Sequence, residues 1–309
     1  MAEKSWLDTF DPADIDVQAV DGYHHGGRQF SASFELSDPR SENSRSYLIE
    51  LQFDDNIQYR VRLQVEDRIW SHVSLSATEH FVLELGALVH HLTAAGDTME
   101  ELPNGILRRL WVQTPDRIFA IGDTGNSYVR TAGQWTELTP FGEVVMNDIH
   151  GLPDGPVYVC GDDGLLLRLD GQGWGRIDIG REHHFNAIWV DKKGSIFLAA
   201  GDGTCMQVVN EEEVIELQSE DFNYFDIMEF RGKRYWSDAN FGASLQKKRR
   251  IDPLFETEQG FKMSASDQFL VMAGWHEFWL YDEKSWAGFE MGWNGEIFLS
   301  AIDPNDYGS

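Results

Sequence analysis

A pattern that returns every 39 residues constrains this chain more than any other feature. The stretch LWVQTPDRIFAIGDTGNSYVRTAGQWTEL from Leu110 is echoed by IHGLPDGPVYVCGDDGLLLRLDGQGWGRI from Ile149. Trp135 and Trp174 stand 39 apart, as do Gly122 and Gly161, Gly125 and Gly164, and Ile118 and Val157. The next copy keeps the step in Asn147 and Asn186, Ile149 and Ile188, Gly155 and Gly194, and Val157 and Ile196. Short apolar runs broken by Gly/Asp turns at this period predict an all-β fold, a β-propeller of four-stranded antiparallel blades.

The clearest unit reads as strands a to d over 145–152, 157–160, 165–169 and 173–177, joined by Pro153-Asp154-Gly155, Asp162-Asp163-Gly164 and Asp170-Gly171. Gly supplies the positive φ that tight hairpins need, and Asp beside it bonds its own backbone. Strand b is apolar throughout (VYVC, IFAI, IFLA), which suits a strand covered on both faces. Weaker copies follow over 186–217, 224–254 and 261–291. One upstream unit begins near Arg68, with a shorter step of 36 from Gly86 to Gly122. Those are six units. The N-terminal part offers three more strands, 29–36, 47–53 and 57–65, and the C-terminus one, 296–302. A blade shared between the termini would close the ring without free edges, giving seven blades, with six as the alternative count. On this reading residues 1–28 are an acidic N-terminal arm, 29–309 form a single propeller domain, and 37–46 is a mobile loop.

Charge is the second strong signal. Lys and Arg total 25 against 52 Asp and Glu, a formal net of −27. Such a field repels nucleic acid and anionic lipid, and it accelerates encounter with a basic protein. No stretch approaches the roughly 20 apolar residues that span a bilayer. The acidic opening MAEKSWLDTFDPADIDVQAVDG lacks the apolar core of a signal peptide. With Cys160 and Cys205 alone, no disulfide framework is expected, and the expected location is a reducing, bacterial cytoplasm.

Motifs of chemistry are absent. The pairs His24-His25, His90-His91 and His183-His184 are adjacent residues, which point to opposite sides of a strand, so no metal site is expected. There is no G-x-S-x-G elbow, P-loop or dinucleotide fingerprint. The expectation is a protein without cofactor that is not an enzyme. Trp135 and Trp174 read as packing between blades, and the run Lys247-Lys248-Arg249-Arg250 reads as a charged outer turn.

The G-D-x-G turns at Gly122–Gly125 and Gly161–Gly164, each followed by a terminal Trp, resemble seven-bladed propellers with quinoprotein-like or BNR/YCF48-like repeats. The likeness covers about half of the chain. The Gly-His and Trp-Asp dipeptides of WD40 repeats are missing. In overall character (acidic, motif-free, with degenerate repeats and an N-terminal elaboration) the chain is similar to propeller-type immunity proteins encoded beside polymorphic or type VI secretion toxins. That resemblance implies a cytoplasmic inhibitor that neutralises a basic toxin, a nuclease being favoured.

Strand order assigns every turn to one of two faces. The b–c turns carry Asp123, Asp162, Asp163, Asp202 and Asp238. On the same face the d–a connections carry Glu143, Asp178, Glu182, Glu220, Asp221, Asp252, Glu256 and Glu258. Phe141, His183, His184, Phe222, Tyr224, Phe255 and Trp275 are interleaved with them. The opposite face holds Lys192, Lys193, Arg231, Lys233, Arg234 and the run 247–250. Acid mixed with aromatic groups is what a docking surface for a basic partner contains. The partner-binding set is therefore Asp123, Phe141, Glu143, Asp162, Asp163, Glu182, His183, His184, Asp202, Glu220, Asp221, Tyr224, Asp238 and Trp275. The alternative is an enzyme or carbohydrate-binding propeller with His183, His184, Asp202 and Asp238 at an axial mouth. An assembly-factor scaffold is a third reading.

Overall fold

In the computed structural model, which describes residues 6–9, 11–41, 43–54, 56–171, 173–219, 223–257 and 259–306, seven antiparallel sheets stand around one axis. Each sheet comes from one continuous stretch of chain. The inner strands are Asp16–His24, Ile69–Ser76, Leu107–Thr114, Met146–Gly151, Phe185–Val190, Tyr224–Phe230 and Met263–Ala265, for blades 1 to 7. Each packs on the inner strand of the next blade, and the first packs on the seventh. Strands a to d therefore run from the axis outward, as the repeat predicts. The central unit matches closely, with strands Met146–Gly151, Val157–Gly161, Leu166–Asp170 and Gly173–Arg176.

The apolar second strands form the core between blades. Val157, Tyr158, Val159 and Cys160 are all buried, and so are Ile196 to Ala200. Their alternate side chains enter different clusters: Val157 and Val159 face blade 3, whereas Tyr158 and Cys160 face blade 5. Trp174 is buried, and its indole Nε1 donates to Ser127 Oγ of blade 3 at 2.8 Å, so it joins blades as expected. Gly161 and Gly164 are required by close approach. A Cβ there would lie 1.9 Å from Val145 O and 1.7 Å from Arg181 O, and Gly164 has φ +68°.

The ring closes differently from the expectation of a shared blade. Residues 16–24, assigned to the arm on sequence grounds, form the inner strand of blade 1, paired to Gln29–Ser37 from Asp16↔Ser37 to His24↔Phe30. Blade 1 is thereby complete, and the domain boundary at 28/29 falls inside it. The C-terminal strand Ile297–Ile302 instead adds a fifth strand to blade 7, pairing with Trp286–Trp293. Closure is made by packing. Phe30, Ala32 and Phe34 share a core with Phe278, Phe289 and Met291. Ala19 N–H donates to Trp275 O at 2.6 Å, and Ser264 Oγ donates to Gly22 O at 2.6 Å. The segment 37–46 contains the b–c turn of blade 1 between strands ending at Ser37 and starting at Ser44.

Between blades 1 and 2 the core is unusually polar. Ser31, Ser33, His72 and His80 are fully buried. Burial holds His25 neutral with a pKa lowered to about 4, and His72 with one lowered to about 3; burial lowers His80 too, against the pull of Glu50. His150, in the inner strand of blade 4, is likewise pushed down to about 4 by burial.

A native pKa below the unfolded value means that the unfolded chain binds more protons between the two. The contribution of these histidines is present above about pH 6.5 and is lost as pH falls toward 4. Asp226 and Asp238, raised by burial, act in the opposite sense but are fewer. The urea midpoint should therefore fall from pH 7 to pH 4.5. A flat profile over that range would contradict the burial of these rings as neutral groups.

Candidate functional site

Both faces of the ring can be built from the turns upward. On one face the backbone ties each b–c turn to a neighbouring connection: Gly125 N–H to Val144 O (2.8 Å), Gly164 N–H to His183 O (2.9 Å), and Ala239 N–H to Asn223 O (2.9 Å). The predicted acidic residues gather here. Asp123 pairs with Arg108 Nε at 2.5 Å. Asp162 accepts from Asn147 Nδ2 at 2.8 Å and lies 3.4 Å from His184 Nδ1. Asp202 meets His183 Nδ1 at 2.7 Å and caps Thr204 N–H. Although burial works against it, these hydrogen bonds hold its carboxyl below the usual range. Glu143, Asp163 and Glu182 are exposed and make no ion pair among the described residues. Phe141 is half-buried against the core between blades 3 and 4. Trp275 is 37 % exposed.

Five placements differ from the sequence reading. Tyr224 is fully buried, edge-on to Trp236, because it opens an inner strand and points between blades 5 and 6. Asp238 is fully buried too; one carboxylate oxygen accepts the Asn240 and Phe241 N–H groups, both at 2.8 Å, so it shapes its turn instead of meeting a partner. Asp252, Phe255 and Glu256 lie in the outer strand of blade 6, Arg250–Glu256, and not in a connection. Phe255 there stacks on Trp286. Glu220 and Asp221 lie outside the described residues.

Apolar exposure on this face was only partly foreseen. Leu85, Ile106, Phe241 and Trp275 are 40, 46, 41 and 37 % exposed, and all four sit in b–c turns or d–a connections. The other large exposed apolar side chains, Tyr59, Val61, Met99 and Phe298, lie in outer strands. Among the described residues, no turn of the opposite face carries one. The opposite face is also closer to neutral than its basic residues suggest. Arg231 and Lys233 share Glu283, Arg234 lies near Asp191 and Glu229, and Lys247 and Arg250 pair with Asp252.

The axis holds a second constellation, which the sequence reading missed. Arg109, Asp148, Ala187 and Asp226 recur on the 39-residue step, and two residues further along each strand stand Trp111, His150, Trp189 and Met228. Residues two apart on a strand share a side, so the step builds two tiers along the channel. In the lower tier Arg109 pairs with Asp21 at 3.1 Å and with Asp148 at 3.2 Å, joining blades 1, 3 and 4. Burial alone would pull the guanidinium down, but Asp21 and Asp148 outweigh it and keep Arg109 charged. The upper tier walls a cavity of about 250 Å3 that opens on the a–b turns. There His150 stacks on Trp189 with ring centroids 3.9 Å apart. Its Nδ1 accepts from Val190 N–H at 2.9 Å, which leaves the proton on Nε2.

The paired histidines engage the protein itself: His90 meets Glu84 and His91 meets Glu79, while His24 is held by Ser266 Oγ and Gly27 O. Cys160 and Cys205 are free and buried, and burial raises both thiols well above their ordinary range. Among the described residues no helix is long and apolar enough to cross a membrane.

Comparison with known proteins agrees at the level of fold. No family model matches the chain, and no curated protein does. Among solved structures, it is similar to YCF48 bound to D1 peptide, with a TM-score of 0.60 and 12% identity over 86% of this chain and 93% of that one. It is similar to the WD40 β-propeller domain of Doa1, with a TM-score of 0.67 and 9% identity over 85% and 93%. The computationally designed Ika8 protein matches with a TM-score of 0.65 and 9% identity over 93% and 97%. At such identities the likeness is one of fold.

Removing one partner of a buried ion pair leaves the others uncompensated, at a cost of about 3–5 kcal/mol. Arg109→Met should destabilise the protein by about that amount in urea unfolding at pH 7, and adding Asp148→Asn should recover part of it. A single variant within about 1 kcal/mol of wild type would show that the axial cluster does not hold the ring.

Proposed function

We propose that this chain is a protein-binding propeller that docks a basic protein surface on the face formed by its b–c turns and d–a connections. The observation that carries the reading is the coincidence on one face of exposed Leu85, Ile106, Phe241 and Trp275 with the unpaired carboxylates of Glu143, Asp163 and Glu182. Aromatic and aliphatic side chains anchor an interface once desolvated, while peripheral carboxylates steer the approach of a cationic partner. A propeller of similar fold, YCF48, is recorded with a bound peptide, which fits a binding role. Inhibition of a basic bacterial toxin in the cytoplasm, a nuclease being favoured, is the specific form that the sequence resemblance suggests. In it the rim carboxylates would stand in for the phosphates of a nucleic acid.

The reading is tested with the partner recovered from the native host at low ionic strength. Asp162→Lys, Asp163→Lys and Asp202→Lys together should slow association at least tenfold, and the effect should shrink as salt rises and the Debye length contracts to about 8 Å. The same reversals at Glu211 and Glu212 in a c–d turn of the other face, and at Glu213 where the outer strand begins, should leave the rate near wild type. Trp275→Ala should weaken binding mainly through faster dissociation, by about 1–2 kcal/mol or more. Equal effects from both triple variants would refute docking on this face.

A further inference from the structure

A chain of side chains crosses the polar seam between blades 1 and 2. His25 Nε2 lies 2.8 Å from Ser31 Oγ, Ser31 Oγ is 3.0 Å from Ser74 Oγ, and Ser74 Oγ is 2.7 Å from His80 Nδ1. The other nitrogen of His80, Nε2, faces Glu50 Oε1 at 3.5 Å. Glu50 is itself fixed by Arg60 at 2.6 Å and approached by Arg62 at 3.5 Å. We assign the imidazole proton to Nε2, on the side of the carboxylate, which makes Nδ1 the acceptor of the hydrogen bond at 2.7 Å. The direction of the whole chain follows. Ser74 donates to His80, Ser31 donates to Ser74, and His25 Nε2–H donates to Ser31.

This is the arrangement of an activated nucleophile: a hydroxyl on a base, and the base oriented by a carboxylate. Ser31 adds a donor to the same oxygen, which orients the Ser74 hydroxyl toward His80. His80 and Ser31 are fully buried, so their rotamers are fixed, whereas Ser74 is only half-buried. Ser74 also stands at the junction of two spaces. On one side is the axial cavity of about 250 Å3, walled by Trp111, Trp189 and Met228 and also by Arg109, Asp148 and Asp226; on the other is an open cleft of about 990 Å3 lined by His25, Gln29, Thr78 and Gln268. The small volume and the Trp111, Trp189 and Met228 wall of the first suit a short acyl group, and the second suits the alcohol portion and water.

We propose that Ser74 is the nucleophile of an esterase site on the a–b face, with His80 as general base, Glu50 as its positioning residue, and a carboxylic ester bearing a small apolar acyl group as substrate. Ser74 Oγ attacks the acyl carbon while its proton passes to His80 Nδ1. The C–O bond to the alcohol breaks, and the departing alkoxide takes that proton. Water then attacks the acyl-serine and gives a proton to His80. Ser74 leaves and recovers it, so one ester and one water become an acid and an alcohol. This site lies on the face opposite the proposed docking rim and does not depend on it.

The test needs no variant to begin. The full-length protein at pH 7 is treated with a fluorophosphonate probe, and the labelled peptide is identified by mass spectrometry. One equivalent on Ser74 is expected, together with saturable hydrolysis of 4-nitrophenyl acetate or butyrate. Ser74→Ala should abolish both, His80→Gln should lower hydrolysis by about a hundredfold or more, and Glu50→Gln should lower kcat more than it raises KM. If folded wild-type protein stays unlabelled at Ser74, or if Ser74→Ala hydrolyses the ester at the wild-type rate, the proposal is overturned.

Discussion

Seven inner strands standing around an axis each carry a backbone edge that no neighbouring strand pairs, and the structure depends on how those edges are satisfied. A buried N–H or C=O without a partner costs as much as a lost hydrogen bond. Here side chains from one blade reach the backbone of the next. Asp21 accepts His72 N–H, Asp148 accepts Ile188 N–H, and Asp226 accepts Met263 N–H, at 2.9, 3.0 and 2.7 Å. Asn147 and Asn186, one repeat apart, donate to Phe185 O and Tyr224 O. The carboxylates that perform this service bring negative charge to the axis, and Arg109 offsets it. Fold and axial electrostatics are thus one problem with one solution.

The same geometry explains why the two faces differ. Inner strands leave the d–a connections and finish at the a–b turns, so the long connections gather at one end. Connections of that length can hold side chains clear of the sheets, and the unpaired carboxylates of Glu143 and Glu182 and the exposed Ile106 are found in them. Short a–b and c–d hairpins bring the cationic residues of the other face next to acids of the same or adjacent blades. Arg231, for example, reaches Asp282 O at 2.8 Å and Asp267 O at 3.1 Å, linking blades 6 and 7. Sequence position alone therefore overstates the basic character of that face.

What was legible in the sequence was whatever the 39-residue step repeats: blade architecture, strand order, the packing role of Trp174 and the side of most turns. What was not legible has physical causes. The inner strand of blade 1, DVQAVDGYH, alternates only small apolar residues with polar ones, and its aspartates suggest an exposed arm; Asp21 is in fact buried at the axis. Tyr224 and Asp238 occupy turn-like positions yet point inward, since a one-residue change of pleat exchanges the two sides of a strand. Arg109, Asp148 and Asp226 were within reach, because the step that relates Asn147 to Asn186 also relates them. Charged residues at a strict repeat position signal a shared environment. In a closed ring that environment is the axis.

The seam between blades 1 and 2 departs from the rest of the ring in chemistry and in spacing, for their inner strands begin at Asp16 and Ile69, a longer step than the 39-residue repeat. Other contacts between blades rest mainly on apolar clusters such as Phe185, Ile188, Leu198 and Met206, and the seam between blades 1 and 2 has one too, around Leu48, Ile69 and Val82. Here Ser31, Ser33, His72 and His80 are buried together. Polar groups in such a place cost more than aliphatic ones unless they find partners; the directed chain partners Ser31 and His80 Nδ1, and Ser33 Oγ partners His72 Nδ1 at 2.7 Å. A purely structural seam could have been built from the aliphatic residues that the other blades use. Local rules of packing are most often broken where a site requires it. The polar seam meets that description, and its hydroxyl chain reaches two open spaces at Ser74.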